Sequence, residues 1–269
     1  MSRLTFGIFL LIVFASSDGL HAQLQCGEPA AVGMSAPRLE VVAALLRDEV
    51  KRGRITAASI LVARKGSIVL SAAFGHLSPV SGSRPVEPAS VFLLASITKP
   101  VTVCALMILV ERGLVSLEDP VSKYLPEFTG GDRGKVLVRH ILSHSSGLPD
   151  MVRENVSLRR AHAPLSEFVK AGFTTPLIYS PSQGFGYQSL GTLFAGEIVE
   201  RITGKRLRDF EREEIFEPLG MNKSSLGVGT IPLEDIVRHR TAKPPYSEAE
   251  KSYGSNSAYW RELGAPWGG

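Results

Sequence analysis

Ser96 and Lys99 stand three residues apart in the stretch FLLASITKP, directly after an apolar run. On a helix, positions i and i+3 lie on one face about one turn apart, so a hydroxyl and an amine can meet. A serine hydroxyl is a poor nucleophile until a base takes its proton, and a partly desolvated lysine of lowered pKa is one such base. Pro100 is tolerated only near a first turn, so a helix is expected to start close to Ser96. Backbone N–H groups there lack helical partners and the dipole favours negative charge, which suits the oxyanion of an acyl transfer. By itself the pair is better read as a capping serine beside a surface lysine, since S-x-x-K fixes only two residues and turns up by chance about once in a chain this long.

Other chemistries find less support. His140 and His144 are four residues apart on an expected helix, a spacing that can hold zinc. The H-E-x-x-H pattern, however, needs Glu after the first histidine, and Ile141 stands there. There is no G-x-S-x-G elbow, no P-loop and no dinucleotide fingerprint. Net charge is +4 with Lys and Arg scattered, so no basic patch with interleaved aromatics points to nucleic acid. The two cysteines, Cys26 and Cys104, are too few for a disulfide framework; Cys104 is expected to be a small buried hydrophobe on an apolar helix.

The elements that must position Ser96 follow from periodicity. Residues 35–52 carry Leu39, Val42, Leu45, Leu46 and Val50 at helical spacing. Two strand-like runs, 56–64 and 67–74, are joined by Lys65-Gly66, a hairpin signal. Residues 75–90 read as a loop, and the helix opened by the Ser96 motif runs to Glu111 before Gly113. Shorter helices are expected at 138–143, 164–171 and 206–216, with a strong amphipathic one at 189–202; residues 227–269 read as loop. Two early strands followed mostly by helices make an α+β chain whose sheet looks unfinished, since an isolated hairpin is marginal in water.

The N-terminus reads as a secretory leader. Arg3 precedes an apolar run, 6–15, that is too short to span a bilayer, and Leu20-His21-Ala22 offers a cleavage site. Residues 1–22 are therefore expected to be a signal peptide and 23–269 the exported protein, periplasmic or extracellular, with no membrane span left after cleavage.

Three blocks, in order, carry a family resemblance. The segment VFLLASITKPVTVCALMILVERGLVSLEDPVSKYLPEF, then RHILSHSSGLPD, then PSQGFGYQSLGTLFAGEIVERITGK are similar to motifs of the serine β-lactamase and penicillin-binding-protein superfamily. They look most like the branch that holds class C β-lactamases, family VIII esterases and D-amino-acid-releasing peptidases. The resemblance implies a β-lactamase-like fold, an antiparallel sheet flanked by helices with an all-helical region. It also implies roles: Ser96 as acylated nucleophile, Lys99 as its base partner, and Tyr187 as second base. A phenol needs nearby cations to act as phenolate, and Lys99 would supply one. No metal or cofactor is implied, and the substrate class is a small ester, amide or peptide. Ser189 replaces the asparagine of the family's Y-x-N element; a hydroxyl in that substrate-binding place has shorter reach and fewer donors, which favours ester over β-lactam hydrolysis. The family's K-x-G or H-x-G element does not follow Tyr187; Lys51-Arg52-Gly53 and Lys170-Ala171-Gly172 come too early. GAPWGG (264–269) resembles the stretch that precedes the family's last helices and strands. The expectation is therefore a partial hydrolase domain with its C-terminal strands missing, weak or inactive as it stands. The alternatives are a non-catalytic scaffold that binds without turnover and a D-Ala-D-Ala carboxypeptidase.

Overall fold

Lys65 and Gly66 both adopt left-handed backbone (φ 49° and 77°), the geometry of a two-residue turn whose twist matches that of flanking strands. In the computed structural model, which describes residues 24–238 and 247–269, this turn joins β2 (Ala57–Arg64) to β3 (Ser67–Gly75) in antiparallel register, with a bulge between Val62 and Ala63. A short strand β1 (Gln25–Cys26) adds in parallel to the other side of β3, so the order is β1-β3-β2 and the sheet is mixed. Two residues are too few for periodicity to reveal, which is why β1 escaped the sequence reading. The expected leader, 1–22, lies outside the described residues. Helix α1 (Ala36–Lys51) packs on this sheet through Leu39 and Ala43.

The larger, helical body begins with α2 (Thr98–Glu111), α3 (Val138–Leu142), α4 (Asn155–Arg160) and α5 (Leu165–Thr174). It continues with α6 (Leu190–Thr203), α7 (Leu207–Glu211), α8 (Glu248–Tyr253) and α9 (Ala258–Leu263). Its centre is α6, whose expected apolar stripe is core: Leu190, Leu193, Phe194 and Ile198 are buried and Ile202 is partly buried against them, and Val199 is buried as well. Phe194 lies 5.0 Å from Phe128 and 5.7 Å from Phe173, ring centre to ring centre. Helix α2 packs along α6 and buries Thr98, Lys99, Thr102, Ala105, Leu106 and Leu109.

Three expectations need correction. Cys104 is exposed, because the buried side of α2 is set by Thr102, Ala105 and Leu109, and Cys104 falls on the opposite side. Residues 227–269 hold α8 and α9; each is six residues, too short for a periodic signal, and starts at a serine (Ser247, Ser257) whose hydroxyl accepts a backbone N–H. The helix expected over 206–216 is α-helical only to Glu211, then widens into a π-type turn, Arg212–Phe216.

Candidate active site

Ser96 sits in a 3₁₀ turn, Ala95–Ile97, that leads directly into α2. Ala95 before it has φ 49°, a conformation that costs a non-glycine residue of order 1–3 kcal/mol and persists only where the surroundings impose it. Ser96 is exposed while Lys99, one turn on, is only 6% exposed. The Lys99 ammonium donates to Ser96 Oγ at 3.2 Å and to the Trp267 carbonyl at 2.9 Å. Among the described residues no carboxylate pairs with Lys99.

The Trp267 carbonyl belongs to a segment laid along α2. Thr102 Oγ1 lies 3.0 Å from the Pro266 carbonyl, and Thr98 Oγ1 donates to the Gly269 carbonyl at 3.0 Å. The Trp267 ring is anchored against Phe168 and Trp260. Sequence reasoning had no means of finding this contact, because a backbone carbonyl leaves no residue-type signature.

Tyr187 completes the group. Its ring lies 4.7 Å from the Lys99 ammonium, close enough for cation–π attraction. Burial pushes the phenol up, but hydrogen bonding with Lys99 and Ser96, together with the Lys99 charge, outweighs it and holds the phenol below its ordinary range. The loop that carries Tyr187 is clamped onto residues 144–150. Gly186 N–H donates to the His144 carbonyl (2.9 Å), Gln188 N–H to His144 Nδ1 (3.2 Å), and Ser189 N–H to Asp150 Oδ1 (2.8 Å). The fully buried Gln188 amide accepts from Ser146 Oγ at 2.6 Å and donates to the His140 carbonyl at 3.3 Å. Gly147, at φ 83°, makes a close approach here: a Cβ on it would stand 2.0 Å from the Tyr179 carbonyl. Ser189 is 5% exposed and immediately precedes α6, whereas Tyr187 is 47% exposed.

His144 was weighed in the sequence only as half of a zinc spacing. Helix α3 ends at Leu142 and His144 turns to φ 59°, so His140 and His144 do not share a helical face. The His140 ring is spoken for: Nδ1 accepts from Leu137 N–H at 3.1 Å and Nε2 meets Ser182 Oγ at 2.8 Å. The His144 ring packs against Tyr187 at 4.9 Å, and burial, then the Lys99 charge, lower its pKa, so it is neutral at pH 7. Its place inside the LSHSSGLP block was the signal available for it.

With this geometry in view, comparisons with known proteins place the chain. Residues 42–269 match the family described as Beta-lactamase. The chain belongs to the beta-lactamase family. Esterase EstB of Burkholderia gladioli is 32% identical over 212 residues, which cover 72% of this chain and 53% of that protein. "Penicillin-binding protein 4*" of Bacillus subtilis (strain 168) is 32% identical over 170 residues, 62% of this chain and 37% of the relative. Among solved structures, the D-amino acid amidase of Ochrobactrum anthropi SV3, complexed with L-phenylalanine amide, superposes with a TM-score of 0.69 at 25% identity. That match covers 86% of this chain and 65% of the amidase. The β-lactamase-like fold is thus the observed one, and a serine hydrolase of this superfamily is the class to which its hydrolase relatives point. The chain spans between about one third and about one half of the length of these two curated relatives. Among the described residues no helix is long and apolar enough to cross a membrane.

Proposed function

We propose that Ser96 is the nucleophile of an esterase or amidase that works through a covalent acyl-enzyme. The observation that carries this reading is the Lys99 ammonium, 3.2 Å from Ser96 Oγ and 4.7 Å from the Tyr187 ring, beside a phenol held below its usual pKa range. In this scheme the Oγ proton passes to the Lys99–Tyr187 pair as Oγ attacks the substrate carbonyl carbon. Collapse of the tetrahedral intermediate breaks the ester C–O or amide C–N bond, and the pair returns the proton to the leaving group. Water then attacks the acyl-enzyme, releases the acid and restores Ser96. The Trp267 carbonyl is a positioning group: it accepts from the Lys99 ammonium at 2.9 Å. Ser189 is the residue assigned to the substrate side, with small esters, amides or peptides as the substrate class. The compartment assigned is outside the cytoplasm, on the strength of the leader-like residues 1–22.

A fluorophosphonate or activated-ester probe tests the assignment. Wild-type protein should be labelled at Ser96, with mass spectrometry locating the adduct, and Ser96→Ala should not be labelled. Equal labelling of both would refute the nucleophile assignment. Ligand binding that survives in Ser96→Ala with no labelling of wild type would favour a non-catalytic scaffold.

A further inference from the structure

Glycine is the cheap residue wherever a backbone turns left-handed, yet position 144, at φ 59°, carries histidine. A non-glycine residue is held in that conformation only where its surroundings impose it. What the histidine gains is a grip on three successive residues. Its carbonyl accepts from Gly186 N–H at 2.9 Å, its ring lies 4.9 Å from the Tyr187 ring, and its Nδ1 accepts from Gln188 N–H at 3.2 Å. The Tyr179 hydroxyl donates to the same carbonyl at 3.3 Å, and the Phe185 ring meets the His144 ring edge-on at 5.8 Å. Leaving α3 in this way, one residue presents both its carbonyl and its ring to one segment.

Tyr187 needs such a grip. It lies in a loop and is 47% exposed, so burial alone does not fix its side chain. Its phenol has to stay beside Lys99 and Ser96, whose hydrogen bonds outweigh the effect of burial on it. The chemistry of the ring sets a condition on the grip. An imidazole nitrogen accepts only when it carries no proton, so the Nδ1 contact selects the tautomer with its proton on Nε2. A second proton would set N–H against N–H at Gln188 and open the clamp. Around His144 stand Lys99 on α2, Tyr179 and Tyr187 on the clamped segment, and Asp150 on its own loop, while His140 on α3 is tied to Leu137 and Ser182. Burial, then the Lys99 charge, resist the second proton and the Asp150 carboxylate pulls the other way; the balance lets it bind only below the ordinary value of 6.5.

We propose that His144 is a positioning residue for the acylation of Ser96: its carbonyl and its unprotonated Nδ1 hold the residues on either side of Tyr187 and so seat the phenol beside Lys99. The purpose of this clamp rests on the acyl-enzyme reading; its geometry does not. NMR on the full chain, with isotope-labelled histidine and tyrosine, tests the clamp directly. At pH 7 the His144 proton should sit on Nε2, and a proton on Nδ1 would overturn the proposal. The Tyr187 phenol should titrate below its ordinary value of about 10 in wild type and move up toward that value in His144→Ala. In His144→Asn it should stay low, because Asn Oδ1 can accept from Gln188 N–H and asparagine takes up left-handed backbone readily. Labelling of Ser96 by an activated ester should slow by about tenfold or more in the alanine variant, as misplacing a reacting group does, and asparagine should restore most of the rate. A Tyr187 titration unchanged by His144→Ala, or an asparagine variant no better than the alanine one, sinks the proposal. Should wild type fail to label, the acyl-enzyme reading falls, while the tyrosine titrations still decide the clamp. Should His144→Ala not fold, the acid range decides. Below pH 6.5 the Tyr187 ring signals should move in wild type as His144 takes its proton, and His144→Asn should lack that movement; the same course in both would refute the clamp.

Discussion

Replacing Glu211 by glutamine should flatten the pH dependence of folding stability. In the unfolded chain this carboxyl titrates near 4.5; in the fold, burial pushes it up to about 8. Folding therefore takes up a proton between those two values. For a group whose folded pKa is raised, the contribution to stability is complete below pH 4.5 and is lost as pH rises toward 8. Each pH unit across that window costs about 1.4 kcal/mol, which makes about 3–5 kcal/mol in all. That is a large share of the roughly 5–15 kcal/mol that holds a typical domain folded. Glutamine keeps the shape and a carbonyl and cannot ionise. Urea unfolding of both proteins at pH 5, 6, 7 and 8 isolates the effect, since His140, His144 and every surface group titrate in both and cancel in the difference. At a slope of about 1–3 kcal/mol per molar urea, the wild-type midpoint should fall relative to the variant by more than about 1 M across the series. Curves that stay parallel to within about 0.5 kcal/mol, small beside that change, would refute a neutral buried Glu211.

Tyr187→Phe should lower the acylation rate by at least about 100-fold, the ordinary worth of a positioned acid–base group. It should also remove the rise in acylation rate expected of wild type on the alkaline side, where a phenol held below its usual range ionises early; stopped-flow hydrolysis of an activated ester from pH 6 to 10 reads both. Gly147→Ala places a methyl group where the Tyr179 carbonyl stands and forces a left-handed backbone on alanine. It should cost about 1 kcal/mol or more in stability and slow acylation by loosening the block that holds His144 and Tyr187; thermal melts and the same rate assay check it.

Local patterns made part of this protein legible. The Ser96–Lys99 spacing and Pro100 together foretell a helix start with both side chains on one face, because three residues make nearly one turn whatever surrounds them. The apolar stripe of α6 foretold its burial, and Lys65-Gly66 foretold the hairpin, since only a few residue types take up left-handed backbone cheaply. What the periodicity of α2 could not tell was which side is buried. The helix is apolar nearly all round, and the choice fell to α6 and to residues 266–269, which cover Lys99, Thr102 and Leu109 and leave Cys104 in solvent. The remaining site groups depend on the same kind of distant contact. His144 reached Tyr187 by leaving its helix, the Trp267 carbonyl reached Lys99 across 168 positions, and Glu211 met Thr102 across 109. Residue type and spacing describe what a chain can do within a turn or two; desolvation, shared protons and orphaned oxygens arise only when segments far apart in sequence exclude water from one another.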